Sequence, residues 1–307
     1  MCKAMLIYAS SPLSISISGE WASILGEPQV SLAIDKYVEI WVKESLKSTP
    51  EFRIDGMGEN TNYTNKLLEL VESILIDYNI KNLSFTINIP LDLKYGLGCI
   101  SALCTALLVL TSKIYNIPID ESIIIKYSKE LEEKLLGYSS PISSILALRG
   151  GVVAYREGEG YVMIKHKGDY NIIVGASNKA FVDVLRIRKQ YNRLSSLQSL
   201  IKHSIGHATI EIADCFRRGN IKKLYENLNI SYMLQSSFFK TPPRINKLIS
   251  SCRILGAYAA TLSGINRQYI VCLTYKDNDR LKRFLNKKGL YILATSISKS
   301  GIRTYEY

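Results

Sequence analysis

The alternation of strand-like and helix-like segments in both halves of the chain predicts an α+β fold built as two lobes. Three observations carry that reading. Met5 to Ile17 and Leu83 to Ile89 alternate apolar with polar residues, the period of a strand. Asn65 to Tyr78 and Glu121 to Leu136 repeat apolar residues every three or four positions, the period of a helix. After about residue 168 the pattern starts again, which divides the chain into an N-terminal lobe, residues 1–165, and a C-terminal lobe, residues 166–307. A length of 307 residues suits two lobes of ordinary size.

The elements follow in order. Val30 to Val42 reads as a second strand or a strand pair, and Arg53 to Asn60 as a turn. Leu83 to Ile89 ends at Pro90, where a strand loses a ladder donor. Tyr95 to Ser112 carries no charge and approaches the length of a membrane span, but its opening Gly-Leu-Gly and its Ser and Thr residues fit a buried core helix better. Gly137 is placed to end the helix Glu121 to Leu136. Gly151 to Tyr155 and Tyr161 to Lys165 flank a turn and read as a hairpin. In the second half, Tyr170 to Ala176 is a strand, and Ser195 to Arg218 and Ile221 to Leu228 are helices. Pro242 and Pro243 open a helix through Leu255. A buried strand, Tyr269 to Tyr275, a helix, Asp277 to Lys288, and a last strand, Tyr291 to Ile297, close the chain.

Composition narrows the function. Hydrophobic residues make up 47% and charged residues 21%, which excludes a disordered chain. A net charge of +12 favours anionic partners: phosphorylated metabolites, nucleotides, RNA or an acidic surface. The basic clusters, Arg186, Arg188, Lys189 and Arg193, then Arg217, Arg218, Lys222 and Lys223, have the spacing of solvated helix faces. No pair among the six cysteines has C-x-x-C spacing, and His203 and His207 lack the Glu of H-E-x-x-H, so a histidine or cysteine metal cage is not expected. Reduced cysteines and the absence of a signal-like N-terminus point to the cytoplasm, and the Ile, Lys and Tyr content with few Gln suggests a hot-living source.

Chemistry concentrates in three segments. Ile89 to Ala102 runs from a strand end through Lys94, Gly96, Leu97 and Gly98 into the buried helix. Glycines there let backbone approach a phosphate, and the unpaired N–H groups of a helix start bind it. Ser11 to Ala22 holds Pro12, Ser14, Gly19 and Glu20; Gly256 to Gly264 holds Ala257, Ser263 and Gly264. These three segments, in this order and spacing, resemble the three signature motifs of the GHMP kinase superfamily: P-G-K-x-x-x-x-G-E, K-x-G-L-G-S-S-A and G-A-K-L-S-G-A-G-G-G. The forms K-Y-G-L-G and G-A-Y-A-A-T-L-S-G look most like the phosphomevalonate kinases, with mevalonate kinases next.

The resemblance implies a two-lobed fold with a ribosomal-protein-like N-terminal lobe and a ferredoxin-like C-terminal lobe. It implies ATP and Mg²⁺ as cofactors and a small anionic, phosphorylated acceptor as substrate; from the sequence itself, a monomer or homodimer without a membrane partner is expected, and nucleic acid is not the expected partner. Carried over residue by residue, Lys94, Gly96, Leu97, Gly98, Cys99 and Ser101 hold the nucleotide, and Glu132 holds the metal. Glu20, Asp35, Ser263, Gly264 and Arg267 lie by the substrate. Ser14, Ser143 and Lys94 occupy or replace catalytic positions.

The departures are as informative. The first-motif Lys falls on Ser14, the catalytic Asp on Ser143, and the second-motif Ser-Ser pair on Cys99 and Ile100. Ser101 is the candidate substitute for the missing metal-side hydroxyl, and Arg267 for the third motif's lost glycine amides. Two readings therefore stand. One is a mevalonate-pathway kinase that relies on positioning and charge neutralisation; the other is an inactive relative that keeps the fold for binding or regulation. Nucleic-acid binding has the charge but no RNA-reading motif, and a decarboxylase's third-motif Asp would fall on Leu262.

Overall fold

The computed structural model describes residues 6–47, 51–55, 69, 81–90, 97–116, 118–136, 139–177, 196–264 and 268–307. The expected helix Asn65 to Tyr78 and the cap Gly137 lie outside these residues, as do the first basic cluster and Lys94, Gly96 and Arg267.

The described chain forms two compact units. The first contains residues up to Ser14, Ala33–Gly150 and Ser298–Tyr307; the second contains Ile15–Leu32 and Gly151–Ile297. This division is not a single cut near residue 165. Strands β1 (Leu6–Ser18) and β2 (Gln29–Glu44) each begin in one unit and end in the other, and the C-terminal segment returns to the first.

In the first unit, β2 pairs antiparallel with β4 (Leu83–Asn88) through Glu39 to Glu44, and β3 (Glu51–Asp55) adds parallel to β4. Among the described residues this unit carries the helices α1 (Cys99–Ile114), α2 (Glu121–Leu136) and α3 (Ile142–Arg149). The uncharged stretch is thus a core helix, with twelve of its residues buried, and among the described residues no helix is long and apolar enough to cross a membrane. The segment Arg53 to Asn60, read as a turn, begins inside strand β3.

In the second unit, the N-terminal end of β2 pairs with β5 (Val152–Arg156), which forms the expected hairpin with β6 (Gly160–Ile164). A separate antiparallel sheet takes the order β10-β7-β9-β8. Its strands are β7 (Asn171–Ala176), β8 (Ala259–Ser263), β9 (Tyr269–Thr274) and β10 (Tyr291–Thr295). The helices of this unit are α4 (Ser196–Arg218), α5 (Ile221–Phe238), α6 (Pro243–Ile254) and α7 (Asp279–Lys287). One core gathers Ile173, Ile249, Cys252, Ile270, Cys272, Leu281 and Leu285 between this sheet and its helices. The last strand is not at Tyr291: β11 (Arg303–Glu306) follows and pairs antiparallel with the start of β1.

Strand β1 shows how composition sets its place. It alternates apolar residues with serines, yet from Ala9 onward both faces are buried. Each buried hydroxyl then needs a partner. Ser11 donates to the Ala147 carbonyl at 3.4 Å, and Ser18 Oγ lies 2.7 Å from Thr209 Oγ1 and 2.8 Å from Ser231 Oγ. Gln29 Nε2 donates to Ser16 Oγ at 3.3 Å and to Ser31 Oγ at 3.1 Å.

Candidate active site

The motif residues fall into two groups, one in each unit. In the first unit, β1 delivers Ser14, buried, to the start of α1. Its backbone N–H donates to the Leu97 carbonyl at 3.0 Å. Leu97 and Gly98 both take left-handed backbone, with φ of 50° and 68°, and Gly98 is the N-cap of α1. A Cβ on Gly98 would stand 2.2 Å from Ser14 Oγ, so only glycine lets the two segments meet this closely. Gly98 offers no side chain to cap the first turn of α1, and the amides of Cys99, Ile100 and Ser101 precede the first intrahelical bond, Ala102 N–H to the Gly98 carbonyl at 2.9 Å.

Glu132 sits on α2. The helix spacing alone allowed an exposed acid like its neighbours, but the carboxyl is buried. Ser139 donates to its Oε2 at 2.6 Å. Burial raises its pKa to about 7 against the opposing pull of the Ser139 and Ser101 hydroxyls. Ser101 is fully buried and faces Glu132 without a hydrogen bond of good geometry. The Cys104 thiol is held protonated by burial and by the nearby Glu132 charge. Cys99 is buried too, its thiol pushed up to about 12 by loss of water, so neither cysteine is a nucleophile.

Ser143 is half-buried in the first turn of α3, a helix with no side-chain cap. Asp35 is exposed on β2 and accepts from Tyr37 Oη at 2.7 Å; Tyr37 also reaches Ser298 Oγ at 2.8 Å. These contacts tie Asp35 to the C-terminal segment of its own unit.

In the second unit, Glu20 and the third motif meet directly. The Gly264 N–H donates to Glu20 Oε2 at 2.9 Å, and Ser263 Oγ, buried, accepts from the Ser16 N–H at 3.1 Å. Glu20 and Ser263 thus fix backbone of the first and third motifs. Sequence reasoning missed Ser139, which holds Glu132, and Gln29, which links Ser16, Ser23 and Ser31. The signal for the first was present in the Gly137-Tyr-Ser139 segment; for the second there was none, because a strand Gln reads as surface.

The donor set around Glu132 fits a hard divalent cation. A carboxyl whose pKa burial raises to about 7 lies beside the buried Ser101 hydroxyl, two oxygen donors of the kind such an ion takes. No trio of His, Cys, Asp or Glu gathers among the described residues.

Comparison with known proteins then decides the family. Residues 62–151 match the model of the GHMP kinases N terminal domain, and residues 212–289 match that of the GHMP kinases C terminal domain. The chain belongs to the GHMP kinase family. Among curated GHMP relatives, the mevalonate kinase of Saccharolobus solfataricus is 23% identical over 97% of this chain and 98% of its own length. The mevalonate kinase of Pyrococcus abyssi is also 23% identical, over 98% of each. Among solved structures, L. major mevalonate kinase in complex with R-mevalonate superposes with a TM-score of 0.83 at 16% identity, covering 95% of this chain and 96% of that one. The Streptococcus pneumoniae phosphomevalonate kinase gives a TM-score of 0.73 at 15% identity, covering 99% and 100%. The two-lobed α+β expectation holds for this GHMP chain. Both curated relatives match over nearly their full length.

Proposed function

We propose that this chain is an active ATP-dependent kinase of the mevalonate pathway, with mevalonate as its acceptor. The carrying observation is the convergence of Ser14, Leu97 and Gly98 on the uncapped start of α1, in the unit that also buries Glu132 beside Ser101. The full-length relatives named mevalonate kinase support the choice of acceptor.

In this reading the first-turn amides of α1 and the left-handed Leu97–Gly98 backbone receive the nucleotide phosphates. Lys94, just ahead of them in sequence, supplies the positive charge that Ser14 does not. Glu132 and Ser101 would hold Mg²⁺, which would supply charge to offset that of the phosphates. Glu20, by gripping the Gly264 amide, sets the third-motif backbone for the acceptor. Ser143 cannot take a proton at neutral pH, so as the acceptor oxygen bonds the γ-phosphorus and the bond to ADP breaks, the hydroxyl proton passes to an oxygen of the transferred phosphoryl group, and rate comes from alignment and charge neutralisation.

A coupled assay of ADP release with Mg-ATP tests this reading against mevalonate and phosphomevalonate. Acceptor-dependent, Mg-dependent turnover with mevalonate is expected. Turnover with phosphomevalonate alone would reassign the acceptor. Tight Mg-ATP binding without turnover on either would replace the kinase with a binding protein.

A further inference from the structure

Beyond the motifs, the first unit buries four hydroxyls that have no hydrogen-bond partner among the described residues: Ser101, Thr105, Ser128 and Ser144. All four are fully buried. Natural cores rarely leave such groups unpaired, and here they are not scattered. Ser101 and Thr105 lie one turn apart on α1; Ser128 and Glu132 lie one turn apart on α2. A short connection makes α1 and α2 an antiparallel pair. Ser101 acts on Glu132, so the antiparallel run sets Thr105 level with Ser128, one turn deeper. Ser144 comes from α3, which packs against both helices. Three helices packed on one another in the first unit thus each bury at least one unpaired hydroxyl, and one of these, Ser101, lies by Glu132.

We propose that these four hydroxyls form an internal water-binding site that backs Glu132 and holds its carboxyl in place. Water suits the set better than a bare cation. Each hydroxyl must both donate and accept, and water does the same, with two to four polar partners per molecule. The role toward Glu132 rests on the kinase reading; the water site itself does not.

Two measurements test it. High-resolution diffraction of the full chain is expected to show at least one ordered water within hydrogen-bond distance of two or more of the four hydroxyls. A dry cluster, with the hydroxyls turned onto their own helix carbonyls, would overturn the site. Thr105→Val keeps shape and removes one hydroxyl, and Ser128→Ala removes its neighbour. If the two share water, each lowers Tm, and the double variant falls by less than the two single falls combined. If the hydroxyls are merely orphaned, Thr105→Val leaves Tm unchanged or raises it, which sinks the proposal. Should one variant fail to fold, Ser144→Ala enters the same comparison. For the link to Glu132, the Mg²⁺ concentration giving half-maximal ATP binding should rise about tenfold in Ser128→Ala, with Mg-free ATP binding unmoved. An unchanged Mg²⁺ requirement would refute the backing role. Absence of any nucleotide binding by the unaltered protein would overturn the kinase reading, while diffraction and Tm still decide the water site.

Discussion

Glu132 concentrates the chemistry of the first unit in one side chain. Its pKa stands at about 7, against an ordinary 4.5, because burial penalises the charged form more than Ser139 and Ser101 favour it. A folded-state pKa above the unfolded one means that the folded chain holds this proton more tightly. The resulting stability is complete below about pH 4.5 and is lost as pH rises toward 7 and beyond. Thermal melts between pH 4.5 and 8 should therefore show a decline of up to roughly 3 kcal/mol from this group. Glu132→Gln should flatten that decline and abolish Mg-dependent nucleotide binding.

Gly98 makes the second residue-scale prediction. Gly98→Ala meets both a left-handed backbone and the Ser14 hydroxyl at 2.2 Å. A loss of about 1–2 kcal/mol by urea unfolding is expected, with ATP affinity falling alongside. Adding Ser14→Ala should recover the steric part and leave the backbone strain.

Elements show which patterns a chain exposes to reading and which it hides. Helix α2 was legible to its ends, because Glu121 opens it and its apolar stripe is regular. Helix α5 was read only as far as Leu228, yet it runs to Phe238. Its second half buries Ser231, which meets Ser18 of β1, and Gln235, which donates to Ser231, so polar residues stand on its buried face and the hydrophobic period fades. Strand β8 lies in the third motif, where the sequence pattern assigns no element; all five of its residues are buried between β9 and the helices α5 and α6. Strand β11 is short, charged and mostly exposed, and only its pairing with β1 makes it a strand. Caps were more legible. Asn220 accepts from the Lys223 N–H at 3.1 Å at the start of α5. Asn220→Ala should lower stability by about 1 kcal/mol in urea unfolding without touching activity.

Over the whole molecule, long-range closure decides stability. The C-terminal segment passes so near α3 that a Cβ on Gly301 would stand 1.9 Å from the Leu148 carbonyl oxygen. Backbone cannot yield there as a side-chain tip can, so Gly301→Ala should cost roughly 2–3 kcal/mol and lower Tm by several degrees. The surplus positive charge acts differently. Arg217 and Arg218 both pair with Asp214, and Lys223 pairs with Glu211, all at the surface. These pairs contribute little to stability, and the second basic cluster is the solvated helix face that its spacing suggested.

The sequence by itself determined the family, the two-lobed α+β class and the periods of most elements, because hydrophobic repeat and motif spacing are local properties. It also located the three segments at which glycines and small polar residues interrupt those periods. Only the tertiary structure decided that β1 and β2 pass between the two units, and that Ser14 touches Gly98 across 84 residues of chain. The same holds for Glu132, which is a buried acid rather than a surface one. A helix period tells which residues share a face. Whether that face meets water, an apolar layer or another helix's hydroxyls depends on what the rest of the chain packs against it, and that is settled only when distant segments close.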